Sequence, residues 1–156
     1  MDTGSRFVPR RRFVSALGGL MAALFLPGRK ARAAEDPLAP LVQKLTGGAP
    51  VREGRVKLDI PRLADNGYSV PLHVSVESPM TAADHVTSIT LLSERNPRPL
   101  MAMFHLGPKA GRPEVSTRVR LNGSQQVRVI AQLSDGSYWS ASAPVEVTES
   151  ACLDAG

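Results

Sequence analysis

The chain has 156 residues, 19 basic against 14 acidic, a net charge of +5 and a single cysteine. One cysteine excludes an internal disulfide. Seven basic residues and one acidic residue fall within positions 1–33, which leaves 12 basic against 13 acidic in the rest, net −1. The high overall charge therefore belongs to the amino-terminal segment, and the remainder gives no argument for nucleic acid or an anionic membrane as partner.

That segment reads as an export signal. Arg10, Arg11 and Arg12 precede an apolar run from Val14 to Leu26, 13 residues long. A bilayer span needs roughly 20 residues, so the run fits a signal h-region better than an anchor. Ala31-Arg32-Ala33 supplies a small-x-small cleavage site, with the cut between Ala33 and Ala34. The arginine pair suggests the twin-arginine route. The expected location is the periplasm, with no membrane attachment after processing, and the expected signal is residues 1–33.

Residues 34–148 are expected to form one domain, enough for a modest core. Pro37 to Thr46 predicts a short helix with Leu38, Leu41, Val42 and Leu45 on one stripe, stopped by Gly47 and Gly48. The period then changes to two. Val56, Leu58 and Ile60 alternate with polar residues, and Asp65-Asn66-Gly67 signals a turn. Val70, Leu72, Val74 and Val76 form the next row. Val86 to Ser93 is a less regular apolar strand, and Leu100, Ala102, Phe104 and Leu106 alternate after it. Residues 107–113 read as a loop.

The last third alternates most clearly. Val115, Thr117, Val119 and Leu121 share a face, and Asn122-Gly123 predicts a tight hairpin to Val127, Val129, Ala131 and Leu133. Asp135-Gly136 turns the chain into Trp139, Ala141, Ala143, Val145 and Val147. Short strands with frequent turns point to an all-β, immunoglobulin-like β-sandwich with one short amino-terminal helix and a flexible carboxy-terminal tail. An OB-type barrel is the alternative.

The domain shows no catalytic signature. His73, His85 and His105 lack metal-ligand spacing, Asp84 beside His85 sits in a turn, and Met101 and Met103 alternate as an edge or interface patch. No metal site, no cofactor and no catalytic residue are expected.

The chemistry falls to residues 149–156, expected to be a cysteine-bearing arm. Cys152 is flanked by Ser150, Ala151, Leu153 and Asp154. An exposed thiol there can accept a covalent passenger, make a disulfide homodimer, or be incidental. Glu149, Asp154 and the terminal carboxylate disfavour the thiolate, which makes the thiol a poor catalyst by itself. Five residues from Val147 reach about 17 Å when extended, enough to enter another protein's cleft.

Ser78-Pro79-Met80-Thr81, Asp84, Asn96-Pro97, Phe104-His105, Glu114-Val115-Ser116-Thr117-Arg118 and Ser134-Asp135-Gly136-Ser137 together resemble the SoxY family, sulfur carriers of periplasmic thiosulfate oxidation. The resemblance implies a sandwich that pairs with a SoxZ-like subunit as a heterodimer. It also implies that Cys152 holds the passenger, so that the only added group is a covalent sulfur adduct. A c-type cytochrome would attach thiosulfate, a hydrolase would release sulfate, and a sulfane dehydrogenase would oxidise what remains. The carrier itself would catalyse nothing. The family's usual ending is Gly-Gly-Cys-Gly-Gly, and this chain has Ser150-Ala151-Cys152-Leu153-Asp154 instead. The altered ending leaves open a divergent interaction module or a redox-dimerising protein without carrier activity.

Overall fold

The computed structural model describes Met1 and residues 35–150. The expected cleavage site at Ala33 and Ala34, and Ala151, Cys152, Leu153 and Asp154 of the arm, lie outside the described residues.

Among the described residues the one helix, α1, spans Ala39–Thr46. Pro40 suits its first turn, where the missing N–H has no helical partner to lose. Gly47 closes it in the left-handed conformation (φ 62°), and the Gly48 amide donates to Gln43 O at 3.0 Å. The amino-terminal approach is held by Asp36, which accepts from the Leu38 amide at 2.9 Å and pairs with Arg128 Nη1 at 2.6 Å.

The strands are β1 (Val51–Glu53), β2 (Val56–Asp59), β3 (Leu63–Asn66), β4 (Val70–Val76), β5 (Val86–Ser93), β6 (Leu100–His105), β7 (Glu114–Val119), β8 (Gln125–Leu133) and β9 (Tyr138–Glu149). They form two sheets. One has the order β1-β9-β8-β5-β6, with β3 also paired to β9, and the other has the order β2-β4-β7. The main core lies between them and includes Leu72, Val74, Ile89, Leu91, Val127, Val129 and Val145. This is the expected immunoglobulin-like sandwich.

Strand β5 lacks clean alternation for a physical reason. Its Ile89 and Leu91 face the sandwich core, while Leu92 joins Leu38 and Ile130 in a second cluster that packs Leu41, Val42 and Leu45 of α1. Both faces of the strand are covered, so both carry apolar side chains.

Three expectations change. Asp65 and Asn66, expected in a turn, belong to β3, and the chain bends only from Gly67. Asn122-Gly123 does not close a hairpin. Strand β7 pairs with β4 in the small sheet, and β8 pairs with β5 and β9 in the large one, so this turn carries the chain between sheets. The other turn behaves as expected, joining β8 to β9 as antiparallel neighbours with Gly136 at φ 82°. Met101 and Met103 do not share a face either. The register slips between Leu91 and Leu92 and skips Met101, which packs on the main core, while Met103 is 39% exposed opposite Thr90.

Candidate functional site: the root of the carboxy-terminal arm

The arm begins where β9 ends. The second half of β9 pairs in parallel with β3, through Leu63↔Glu146, Ala64↔Val147 and Asn66↔Glu149. The Gly67 amide then donates to Glu149 O at 2.7 Å, and Gly67 O accepts from the Leu121 amide at 2.8 Å. Regular pairing thus reaches Glu149, and Ser150 is the first residue beyond it.

The inter-sheet turn braces the same end. Ser124 Oγ accepts from the Val147 amide at 2.9 Å. Asn96 accepts from the Asn122 amide at 2.9 Å and donates to Arg120 O at 2.8 Å. Gln125 Nε2 donates to Gly123 O at 3.1 Å and to Asn96 Oδ1 at 3.2 Å. The backbone polar groups of a non-repetitive loop are in this way satisfied, as burial of the loop demands. Gly123 has φ 81°, which favours glycine, and a Cβ there would stand 3.1 Å from Ser150 Oγ, close enough that the hydroxyl would have to give way.

One basic side chain, Arg95, comes close to this root although none occurs in the tail sequence. Arg95 Nη1 donates to Ser124 O at 3.1 Å and lies 3.9 Å from where a Gly123 Cβ would be. Its amide donates to Gln125 Oε1 at 2.9 Å. Arg120 lies over the Tyr68 ring, 5.9 Å from its centroid. Sequence reading missed Arg95 because it lies far from the tail in the chain. Only the connection from β7 to β8 brings it beside Ser150.

The histidines are spread over separate elements. His73 Nδ1 and Ser116 Oγ share a hydrogen bond at 2.8 Å, and His85 Nδ1 lies 3.0 Å from Thr81 O. His105 ends β6, exposed. Asp84 turns away from a dyad with His85. Its amide donates to Thr81 Oγ1, its carbonyl accepts from the Thr81 amide, and its carboxylate pairs with Arg55 at 3.6 Å. Met80, in the same loop, has φ 52°, and its sulfur accepts from the Val86 amide at 3.4 Å. Among the described residues no three His, Cys, Asp or Glu side chains gather as a metal site.

Two arrangements elsewhere shift carboxyl groups. At Asp36 burial opposes ionisation, but hydrogen bonds from Arg128 and the Leu38 amide, with the Arg128 charge, outweigh it and hold the carboxyl below its ordinary value. At exposed Asp135 the hydrogen bonds from the Ser137 side chain and amide lower it, aided by Arg55.

The family model for "Sulfur oxidation protein SoxY" matches residues 42–152, well over half of the chain and up to the cysteine. Among curated proteins no sequence matches. Among solved structures, the sulfur carrier protein SoxY from Chlorobium limicola f thiosulfatophilum is similar at 27% identity and TM-score 0.60, covering 71% of this chain and 91% of that one. The superoxide reductase (neelaredoxin) from Ignicoccus hospitalis is similar at 21% identity and TM-score 0.54, covering 60% of this chain and 80% of that one. The superoxide reductase from Nanoarchaeum equitans has 12% identity and TM-score 0.51, covering 62% and 100%. The two reductases share the sandwich, whereas the SoxY match extends through the sequence into the arm: the chain belongs to the SoxY family of sulfur oxidation proteins.

Proposed function

We propose that this protein is a covalent sulfur carrier that holds thiosulfate-derived intermediates on Cys152 and presents them to partner enzymes. The observation that carries the reading is the family match, which extends to Cys152. The similar Chlorobium protein is itself described as a sulfur carrier.

The chemistry needs only a nucleophilic sulfur and access. Loading joins the thiol to the outer sulfur of thiosulfate and gives an S-linked thiosulfonate. A proton is released and two electrons pass to a c-type cytochrome. Hydrolysis then adds water across the sulfur–sulfonate bond, releasing sulfate and a proton and leaving a persulfide for a sulfane dehydrogenase. The carrier supplies the tether, which keeps each intermediate at high effective concentration for the next enzyme.

The root of the arm suits this role. Hydrogen bonds hold Glu149 to the sandwich, so the few residues beyond it define the reach. Arg95 brings positive charge near a root whose own sequence is acidic. Positive charge favours a thiolate and an anionic passenger. A SoxZ-like subunit is the proposed heterodimer partner, and the periplasm, reached through a twin-arginine signal cut after Ala33, the proposed compartment. The replacement of the usual glycines by Ala151 and Leu153 keeps a second reading in view, an interaction module or disulfide dimer.

Intact-mass analysis of protein from its source tests the proposal. Thiosulfonate or persulfide adducts that vanish in Cys152→Ser support carriage. A disulfide dimer free of sulfur adducts supports the redox reading, and an unmodified thiol supports the interaction module.

A further inference from the structure

The fold shortens the reach of the arm. Five residues separate Val147 from Cys152 in the chain. The Val147 amide, however, is held by Ser124 Oγ at 2.9 Å, and Glu149 O by the Gly67 amide at 2.7 Å. Three residues therefore lead from the last held carbonyl to Cys152. Fully extended they span about 10 Å. An enzyme whose reacting group lies a few ångströms below its own surface must then lay its rim on the end of the sandwich from which the arm springs.

Strand direction fixes what lies at that end. Strands β3 and β9 run parallel and finish there, and β8, antiparallel to β9, begins there. Beside Glu149 the backbone is continuous through hydrogen bonds: the Gly67 amide holds Glu149 O, and Gly67 O accepts from the Leu121 amide at 2.8 Å. Tyr68 follows the first of these bonded residues and Arg120 precedes the second. They meet as a stacked pair, the guanidinium 5.9 Å from the ring centroid. Tyr68 is 50% exposed, and Arg120 is exposed as well. The Tyr68 amide donates to Asn66 Oδ1 at 3.3 Å, which fixes the turn. Among the described residues no carboxylate pairs with Arg120. Tyrosine and arginine are the side chains that most often dominate binding between proteins, and a pair already held in place loses little freedom when covered.

We propose that Tyr68 and Arg120 are the docking anchor for the enzyme that oxidatively joins thiosulfate to Cys152. The ring seats in an apolar recess of that enzyme, and the guanidinium meets a carboxylate on its rim. The inference rests on the carrier reading and adds to it the surface on which the enzyme settles. Contact at the anchor holds the short arm near the reacting group, so binding there serves positioning. The loop at residues 107–113 lies at the other end of the sandwich, since β6 runs antiparallel to β5 and β5 to β8. The 12 residues of β9 set the two ends about 35 Å apart. Lys109 in that loop is exposed and lies outside the docking face.

The test is enzymatic loading. The protein and its variants, purified from source cells as they assemble there, are incubated with thiosulfate, oxidised cytochrome c as electron acceptor, and an extract of source cells lacking this chain. Intact mass gives the initial rate of thiosulfonate formation on Cys152. At low carrier concentration Tyr68→Ala loads about tenfold more slowly and Arg120→Gln about fivefold more slowly, and both recover as the concentration is raised. Tyr68→Phe keeps most of the rate, and Lys109→Gln keeps all of it. Alkylation of the thiol by iodoacetamide is the same in every variant, which separates docking from a disturbed arm. Loading of Tyr68→Ala and Arg120→Gln at the parent rate overturns the anchor and leaves the carrier reading standing. So does a loss that higher concentration fails to restore, that alkylation shares, or that Lys109→Gln shows as well. A parent protein that takes up no adduct overturns the carrier reading and the anchor with it.

Discussion

Gly123 and Gly136 make a matched pair of turn residues. Both have φ near 80°, but a Cβ at Gly136 meets open space and one at Gly123 meets Ser150 Oγ at 3.1 Å. Gly136→Ala should cost about 1 kcal/mol for the left-handed backbone alone. Gly123→Ala should cost somewhat more, because the Ser150 hydroxyl must give way as well. Urea unfolding of the two variants checks the difference. At Arg95, replacement by glutamine removes a cation that lies with Ser150 around Gly123. Cys152 should then react several-fold more slowly with an uncharged alkylating reagent, measured by mass spectrometry over time. An unchanged rate would remove Arg95 from the carrier reading. Asp36 gives a prediction in pH. Its carboxyl is held below the ordinary value, so the stability it contributes is present above the unfolded value and is lost as pH falls through the folded one. Arg128→Met should move the Asp36 titration upward, seen in its carboxyl carbon shift, and should shift the onset of acid loosening around α1 to higher pH.

At the scale of elements, α1 is a lid on the outer face of the large sheet rather than part of the main core. Leu38, just before it, is 1% exposed against Leu92 and Ile130. Leu38→Ala should cost about 2–4 kcal/mol. The loss should appear first as faster amide exchange in α1, while β8 and β9 stay protected, since the apolar side chains of the helix pack on this small cluster and not on the main core. The helix was legible in the sequence because its four apolar residues keep a helical stripe ended by two glycines. Strands β1 and β3 were not legible. They are three and four residues long and mostly exposed, with no row of alternating apolar residues. Both form by parallel pairing to β9, a partner more than 70 residues away in the chain. Such pairing is a property of the partner's free edge, and local sequence does not encode it.

For the whole molecule, β9 is the member on which the large sheet depends. It pairs with β8 along one side and with β1 and then β3 along the other, before giving rise to the arm. Removing residues 146–156 would strip the β3 pairing and the Gly67–Glu149 hydrogen bond together. The shortened protein should unfold at clearly lower urea concentration, whereas Cys152→Ser should unfold where the intact protein does. The sandwich, the helix, the inward rows of β4, β7 and β8 and the family were legible in the chain, because alternation, turn residues and a cysteine at position 152 are local patterns. The role of Asn122-Gly123 was not, because the same two residues serve a hairpin or a crossing between sheets, and which one forms depends on the strand each neighbour finds. That Arg95 stands near Ser150, and that Asp59, His73 and Ser116 form one row, follows from the folded arrangement of strands far apart in the chain. Charge and hydrogen bonding act through space, and the pairing of distant strands sets those distances.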